Sequence, residues 1–405
     1  MTNSSKRPLT IAMFSDTYPP DINGVAVAVA SMKKSLEAAG HKVYVVTPTE
    51  QTALTGKIAV DDDGVIRIPG IKINKLYGYR FARPVSVAAY KLLSSLSIDI
   101  CHVHTEFSMR FLAAAFCNGK KLPIIYTYHT MYEDYTHYVT GGHADNVARR
   151  LVRWLVYLYA HGVSAVIAPT EKTKETLLGY KIKNEIFVVP TGVNTEKLKK
   201  TAASAAETAR IKEKYGLQDK FVIVYLGRIA EEKNINMLIS AMPEILEEIP
   251  EAVLAVVGYG PDEDNLKRLA AEKGLSDKVI FLGKAPHEKI GCYYAVGDVF
   301  SSASSSETQG LTYIEAMASG VPVIALKDTC LDGVLEYGKN GYTFTDTDGF
   351  CQRVKEFYSL SKEEKTEMAE NAEKTAGRYS FETMEKTLEG IYYRFVESNE
   401  IIKSK

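Results

Sequence analysis

Residues Val299–Leu326 read VFSSASSSETQGLTYIEAMASGVPVIAL. The apolar run Val299–Ser302 predicts a strand, Leu311–Ala318 a helix that ends at Gly320, and Val321–Leu326 a further strand. Strand, loop, helix and strand of these lengths make one parallel βαβ unit. In such a unit the loop sits at the carboxyl end of a strand, where open α/β sheets bind ligands. Glu307 falls on that loop and Glu315 about two turns further on, so the two carboxylates can line one cavity at different depths. The backbone N–H groups at Gly310 and Leu311 begin the helix, where they lack intrahelical acceptors and suit a phosphate. Taken alone, two glutamates eight residues apart equally suit a solvated helix face.

The same alternation runs through the whole chain. Before residue 190 the strand-like runs are Thr10–Ser15, Lys42–Thr47, Val65–Pro69, Ile98–His104, Pro123–His129, Ala165–Pro169 and Glu185–Pro190. Helical stretches at Val25–Ala39, Val85–Leu96, Ala144–His161 and Glu171–Gly179 separate some of them. After a polar, Ala-rich connection at Thr195–Tyr215 the pattern restarts with Phe221–Leu226, Ala252–Val257, Val279–Leu282 and the unit quoted above. Near-continuous apolar strands are those covered on both faces. The expectation is an α/β protein of two Rossmann-like, doubly wound parallel-sheet domains, 1–190 and 191–379, facing across a cleft.

The composition agrees. In 405 residues, 46% are hydrophobic and 24% charged, which excludes a disordered chain, a collagen-like repeat and a disulfide scaffold. Cys101, Cys117, Cys292, Cys330 and Cys351 are scattered, with no C-x-x-C, and read as reduced thiols. There is no apolar leader segment and no run long enough to span a bilayer, which suggests a soluble cytosolic enzyme. The formal charge of -1 hides a split: 22 basic and 15 acidic residues through 190, against 27 and 35 beyond it. That asymmetry hints at an anionic partner for the first part. The basic segments contain no nucleic-acid-binding module, so nucleic acid is not expected.

Four motifs carry a resemblance. Glu307 and Glu315 form E-x7-E on a strand–loop–helix of the second domain; Gly227-Arg228 is followed by Lys233; Gly258-Tyr259-Gly260-Pro261 follows the next strand; and Pro19-Pro20-Asp21-Ile22-Asn23-Gly24-Val25 follows the first. Together, and in this order, they resemble the retaining glycosyltransferases of the GT-B fold, family 4. The resemblance implies Arg228 and Lys233 on the donor diphosphate, Glu307 on the sugar hydroxyls and Glu315 on the nucleotide ribose. It implies His129 beside the reacting sugar carbon, with Gly24, Gly258 and Gly260 admitting close backbone approach. It also implies a last helix, 380–405, that crosses back to the first domain. The physical roles fit: fixed positive charge stabilises a departing diphosphate, and arginine can fork two phosphate oxygens. With that charge supplied by protein, no metal or other cofactor is expected. The acidic runs Asp61-Asp62-Asp63 and Asp262-Glu263-Asp264 read instead as a turn and a helix's first turn.

Within the family, the variants around His129–Tyr138 and Glu307–Thr312 look like the bacterial diacylglycerol glucosyltransferases. That resemblance implies transfer of a hexose, glucose foremost, from UDP-glucose to 1,2-diacylglycerol. Independently of it, the helical stretch holding Arg149, Arg150, Arg153 and Trp154 mixes cationic and aromatic side chains as the surface of an anionic membrane requires. The segment Lys72–Arg83, with Tyr77, Tyr79 and Phe81, can extend that surface. The compartment expected is then the cytoplasmic face of the cell membrane, held peripherally. A core-facing Trp154 is the alternative reading of the helix. A soluble sugar, polyol or metabolite acceptor, and a nucleotide-sugar-binding protein without transfer, are the alternative functions.

Overall fold

The computed structural model describes residues 6–21, 23–49, 58, 60–72, 80–82, 86–129, 145–305 and 307–404. Two compact units emerge, residues 1–192 with 381–405, and residues 193–380.

The first unit is built on eight strands: β1 (Thr10–Phe14), β2 (Lys42–Thr49), β3 (Val65–Lys72), β4 (Arg80–Ala82), β5 (Ile100–Val103), β6 (Ile124–Thr127), β7 (Ala165–Ala168) and β8 (Ile186–Val188). Their order across the sheet is β4-β3-β2-β1-β5-β6-β7-β8, parallel except for the β3–β4 pair. Side chains alternate along β1. Ala12 and Phe14 enter one core layer with helix Ser108–Lys120, while Ile11 and Met13 enter the other with helix Gly24–Ala38. Helix Phe381–Ser404 closes this second layer through Met384, Leu388, Ile391, Tyr392 and Val396. Arg394 forks Glu185 at 2.8 and 2.7 Å, which ties the same helix to the segment leading into β8.

In the second unit, β9 (Phe221–Leu226), β10 (Ala252–Val257), β11 (Val279–Gly283), β12 (Val299–Ser302), β13 (Val323–Leu326) and β14 (Gly341–Phe344) form a parallel sheet. The order β11-β10-β9-β12-β13-β14 reverses direction between β9 and β12. Along β9, Val222, Val224 and Leu226 pack on one face and Phe221, Ile223 and Tyr225 on the other. This is why every one of its six residues is apolar and buried.

The structure differs from expectation in a few elements. β4 (RFA) and β14 (GYTF) were not expected, because neither contains an apolar run that announces a strand. The Ala-rich helix Ser108–Lys120 went unread, although the parallel β5–β6 pair demands a crossover of that kind. The connection after residue 195 divides into helices Thr195–Leu198 and Ala202–Lys214, the latter started by a capping box of Thr201 and Ser204. β6 stops at Thr127, so His129 stands two residues past the strand. The stretches 73–79 and 130–138 singled out in the sequence lie outside the described residues, as do Ile22 and Ser306 of the quoted motifs.

Candidate active site

Strand order reverses between β9 and β12, and at such a point open α/β sheets bind ligands, beside the loops that follow the two strands. Past β9 the chain runs through Gly227 and Arg228 into a short 3-10 turn, Glu231–Lys233. Lys233 Nζ donates to Glu307 Oε1 at 2.7 Å, which joins the β9 loop to the β12 loop; both side chains are only 18% exposed. Arg228 lies on the same loop. Its guanidinium pairs with Glu232, and its carbonyl accepts from the Tyr225 hydroxyl at 2.9 Å.

Gly310 precedes helix Leu311–Ala318 in the left-handed conformation, φ 72°, and contributes no side-chain cap. The first N–H groups of the helix are therefore not capped by the residue that precedes it. Leu311 packs against the core beneath it. Glu315, within the helix, accepts from the Tyr294 hydroxyl at 2.7 Å. Burial pushes the Glu315 carboxyl up, a shift the Tyr294 bond partly offsets. Tyr294 is itself fully buried.

Gly258 and Gly260 lie where two loops of the protein pass close together. A Cβ on Gly258, at φ 145°, would stand 1.9 Å from the Gly227 carbonyl, and one on Gly260 would stand 2.0 Å from the Ile229 carbonyl. The close approach is between two loops of the protein, sealed by Ile229 N–H donating to the Tyr259 carbonyl at 3.0 Å. These glycines thus seat the loop that carries Arg228. Gly24 is the opposite case: nothing lies within 4 Å of where its Cβ would be. It opens helix Gly24–Ala38, which Asn23 caps by accepting from Ala26 N–H at 2.9 Å.

In the first unit strand order reverses between β1 and β5. Beyond these strands lie Asp16 and the run His104–Ser108. Asp16, buried, accepts from Thr105 Oγ1 at 2.6 Å, from Ser108 Oγ and from Met109 N–H at 3.2 Å, and so caps helix Ser108–Lys120 from outside it. Burial, opposed by these bonds, pushes its carboxyl up to about 6. His129 Nε2 meets His104 Nδ1 at 3.0 Å with the rings stacked, and burial holds His129 down to about 4. The His104 ring lies 4.0 Å from that of His102, whose nitrogens face Tyr392 and Thr127 hydroxyls at 2.6 Å each. Sequence reading named His129 and did not name His104, Asp16 or Tyr294, which the structure places beside the named residues or at the ends of β1 and β5. The pattern His102-Val103-His104 ending a strand was the available signal for His104.

Helix Asp145–Ala160 has two apolar sides. Val152, Val156 and Ala160 face the sheet. Val147, Leu151, Trp154 and Leu158, on another side at helical spacing, face solvent, with Trp154 56% and Leu151 54% exposed. Exposed Phe111 extends this stripe, its ring packed edge-on against Tyr159. Arg150 is exposed, and Arg153 approaches the Tyr180 ring. Arg149 is partly buried on the same helix. The core-facing alternative for Trp154 is thereby excluded. Among the described residues no helix is long and apolar enough to cross a membrane, and no three His, Cys, Asp or Glu side chains are grouped for a metal ion.

Residues 22–197 match the family described as Glycosyltransferase Family 4, and residues 207–375 the family Glycosyl transferases group 1. The chain is 34% identical over 400 residues to the alpha-monoglucosyldiacylglycerol synthase of Acholeplasma laidlawii, covering 96% of this chain and 98% of that one. The chain belongs to glycosyltransferase family 4. A second relative, the alpha-monoglucosyldiacylglycerol synthase of Streptococcus pneumoniae (strain ATCC BAA-255 / R6), is 36% identical over 341 residues, 82% of this chain and 76% of its own. Among solved structures, Anabaena HepE in complex with UDP superposes with a TM-score of 0.72 over 95% of this chain and 99% of HepE, at 16% identity. The protein is a glycosyltransferase of the GT-B fold, with one Rossmann-like unit matched by each family description.

Proposed function

We propose that this glycosyltransferase moves glucose from UDP-glucose to 1,2-diacylglycerol with retention of configuration, as a peripheral protein on the cytoplasmic face of the membrane. The observation that carries the reading is the Lys233–Glu307 pair at the β9/β12 reversal, in a chain with two relatives, at 34% and 36% identity, that bear the name alpha-monoglucosyldiacylglycerol synthase. In this reading the donor diphosphate docks against Arg228, Lys233 and the start of helix Leu311–Ala318, which together stabilise the charge that develops on the departing phosphate. Glu307 accepts from the sugar hydroxyls, its carboxylate held by Lys233, and the Glu315 carboxyl meets the ribose. His129 lies beside the sugar. The acceptor oxygen attacks from the face the phosphate leaves, and the departing phosphate takes the acceptor proton. No strong protein base and no metal are then required. The stripe Val147, Leu151, Trp154 and Leu158, with Arg149, Arg150 and Arg153, supports docking on anionic lipid.

The charge balance supports an anionic partner for the first unit. With helix Phe381–Ser404 counted in the first unit, that unit has 26 basic and 20 acidic residues, and the second has 23 and 30. The test is transfer from radiolabelled UDP-glucose to diacylglycerol in anionic vesicles beside soluble sugar acceptors. Label in the lipid phase is expected. Label only in soluble product would replace the acceptor, and no turnover with any nucleotide sugar would leave a binding protein.

A further inference from the structure

His102, His104 and His129 stand in a row at the carboxyl end of the first sheet, and only His129 has been assigned a task so far. The His104 backbone is pinned to β1 by its N–H donating to the Phe14 carbonyl at 2.9 Å. Its ring centroid lies 4.0 Å from that of His102 and 5.3 Å from that of His129. It is 1% exposed, and its Nε2 has no hydrogen-bond partner among the described residues. Its Nδ1 faces His129 Nε2 at 3.0 Å.

Burial keeps both rings neutral, so each carries a single ring proton. Two arrangements satisfy the bond between them. If His129 Nε2–H donates, the His104 proton must sit on Nε2, a buried N–H with no acceptor. If His104 Nδ1–H donates, its Nε2 keeps only a lone pair and the His129 proton sits on Nδ1. A buried N–H without an acceptor is the rarer orphan in folded proteins. His129 Nδ1 has no partner among the described residues, and His129 is not fully buried.

We propose that His104 is a positioning residue that fixes His129 as its Nδ1–H tautomer, so that His129 offers a hydrogen-bond donor to an oxygen of the sugar. The donor role rests on the reading that His129 lies beside the sugar; the tautomer does not. His129 then acts by orienting a hydroxyl or ring oxygen and not by accepting a proton, in keeping with a reaction whose proton leaves on phosphate.

The test is a long-range nitrogen–proton correlation spectrum of the full chain labelled with 15N-histidine. The His129 signals are assigned by their loss in His129→Gln. Protonated Nδ1 with bare Nε2 is the expected pattern, and the reverse pattern overturns the proposal without any variant of His104 being needed. His104→Asn keeps an N–H near the Nδ1 position and should preserve the His129 pattern and most of kcat/KM. His104→Leu should mix the His129 tautomers and lower kcat/KM for the nucleotide sugar by roughly tenfold or more. Equal behaviour of the two variants, at matched thermal stability, reduces His104 to packing and overturns the proposal. The expected tautomer together with wild-type turnover in His129→Gln would instead overturn the sugar-side reading alone.

Discussion

Lys233 donates to Glu307 across 2.7 Å, and 74 residues of chain separate the two. Each is largely shielded from solvent, so removing either takes a close opposite charge away from its partner. Lys233→Gln and Glu307→Gln should each lower kcat by about 10²- to 10³-fold, the range for loss of one preorganised electrostatic contact. The double variant should be little worse than the single ones, because the residues act as a unit. Steady-state kinetics on all three decides it; fully additive losses would mean that the two act separately. Arg228→Ala should also lose most turnover, and near-wild-type activity there would displace the assigned diphosphate site.

The glycines separate structural from ligand-facing roles. Gly258→Ala and Gly260→Ala force a methyl to within about 2 Å of a neighbouring carbonyl, so the loop must shift. Destabilisation of about 2–3 kcal/mol is expected, read as a fall of roughly 5–10 °C in the melting of the second unit. Gly24→Ala meets open space and should melt within about 1 °C of the parent. If it nevertheless loses activity, the open space before helix Gly24–Ala38 is occupied by ligand during turnover.

Burial holds His102 down to about 3, against 6.5 unperturbed. Its folded pKa is depressed, so its contribution to stability is full above about pH 6.5 and is lost as pH falls toward 3. The advantage of the parent over His102→Asn should therefore shrink on acidification from pH 7.5 to 5, by up to about 1.4 kcal/mol per pH unit. Asp16 has the opposite sign. Its pKa is raised from 3.8 to about 6, so its contribution is full below 3.8 and lost as pH rises through 6. Relative to Asp16→Asn, the parent should weaken on going from pH 4 to 7. Urea titrations across this range measure both differences; a pH-independent difference for either pair refutes its assignment.

The exposed stripe on helix Asp145–Ala160 carries a separable prediction. Leu151→Glu and Trp154→Glu should impair pelleting with anionic vesicles while leaving the melting temperature nearly unchanged, because neither side chain supports the core. Replacing Arg149, Arg150 and Arg153 by glutamine should weaken vesicle partition roughly 100-fold at low salt, at about 1 kcal/mol per residue. Binding that ignores these changes would move the membrane contact elsewhere.

Because Arg228, Lys233 and a helix start are assigned the diphosphate charge, EDTA should leave the transfer rate essentially unchanged. A complete loss restored by a divalent cation would overturn that assignment.

Much of the fold was legible because strands covered on both faces must be apolar throughout. Seven parallel strands of the first sheet and five of the six in the second stand out as such runs. β14, with the sequence GYTF, carries too little apolar periodicity to stand out, and β4 is shorter still. Helix Ser108–Lys120 was hidden by its small residues, though the crossover between two parallel strands required it. In the site, Glu307, Glu315, Arg228 and Lys233 were legible as motifs, each within a few residues of a strand end. Their partners were not. Tyr294 and His104 are ordinary core residues in one dimension, distinguished only by the groups they meet.

Charge and hydrophobicity along the chain were enough to determine two parallel α/β units, the crevice ends of their sheets and the residue types available there, because these depend on local periodicity and turn chemistry. Whether Glu307 is held by Lys233, whether Gly258 makes room for a ligand or for a neighbouring loop, and which side of helix Asp145–Ala160 faces outward were decided only in three dimensions. The last case shows the reason. That helix is apolar on two sides, and periodicity alone cannot tell the side that packs on a core from the side that meets solvent; only the packing of Val152 and Val156 into the first unit's core leaves Trp154 outside.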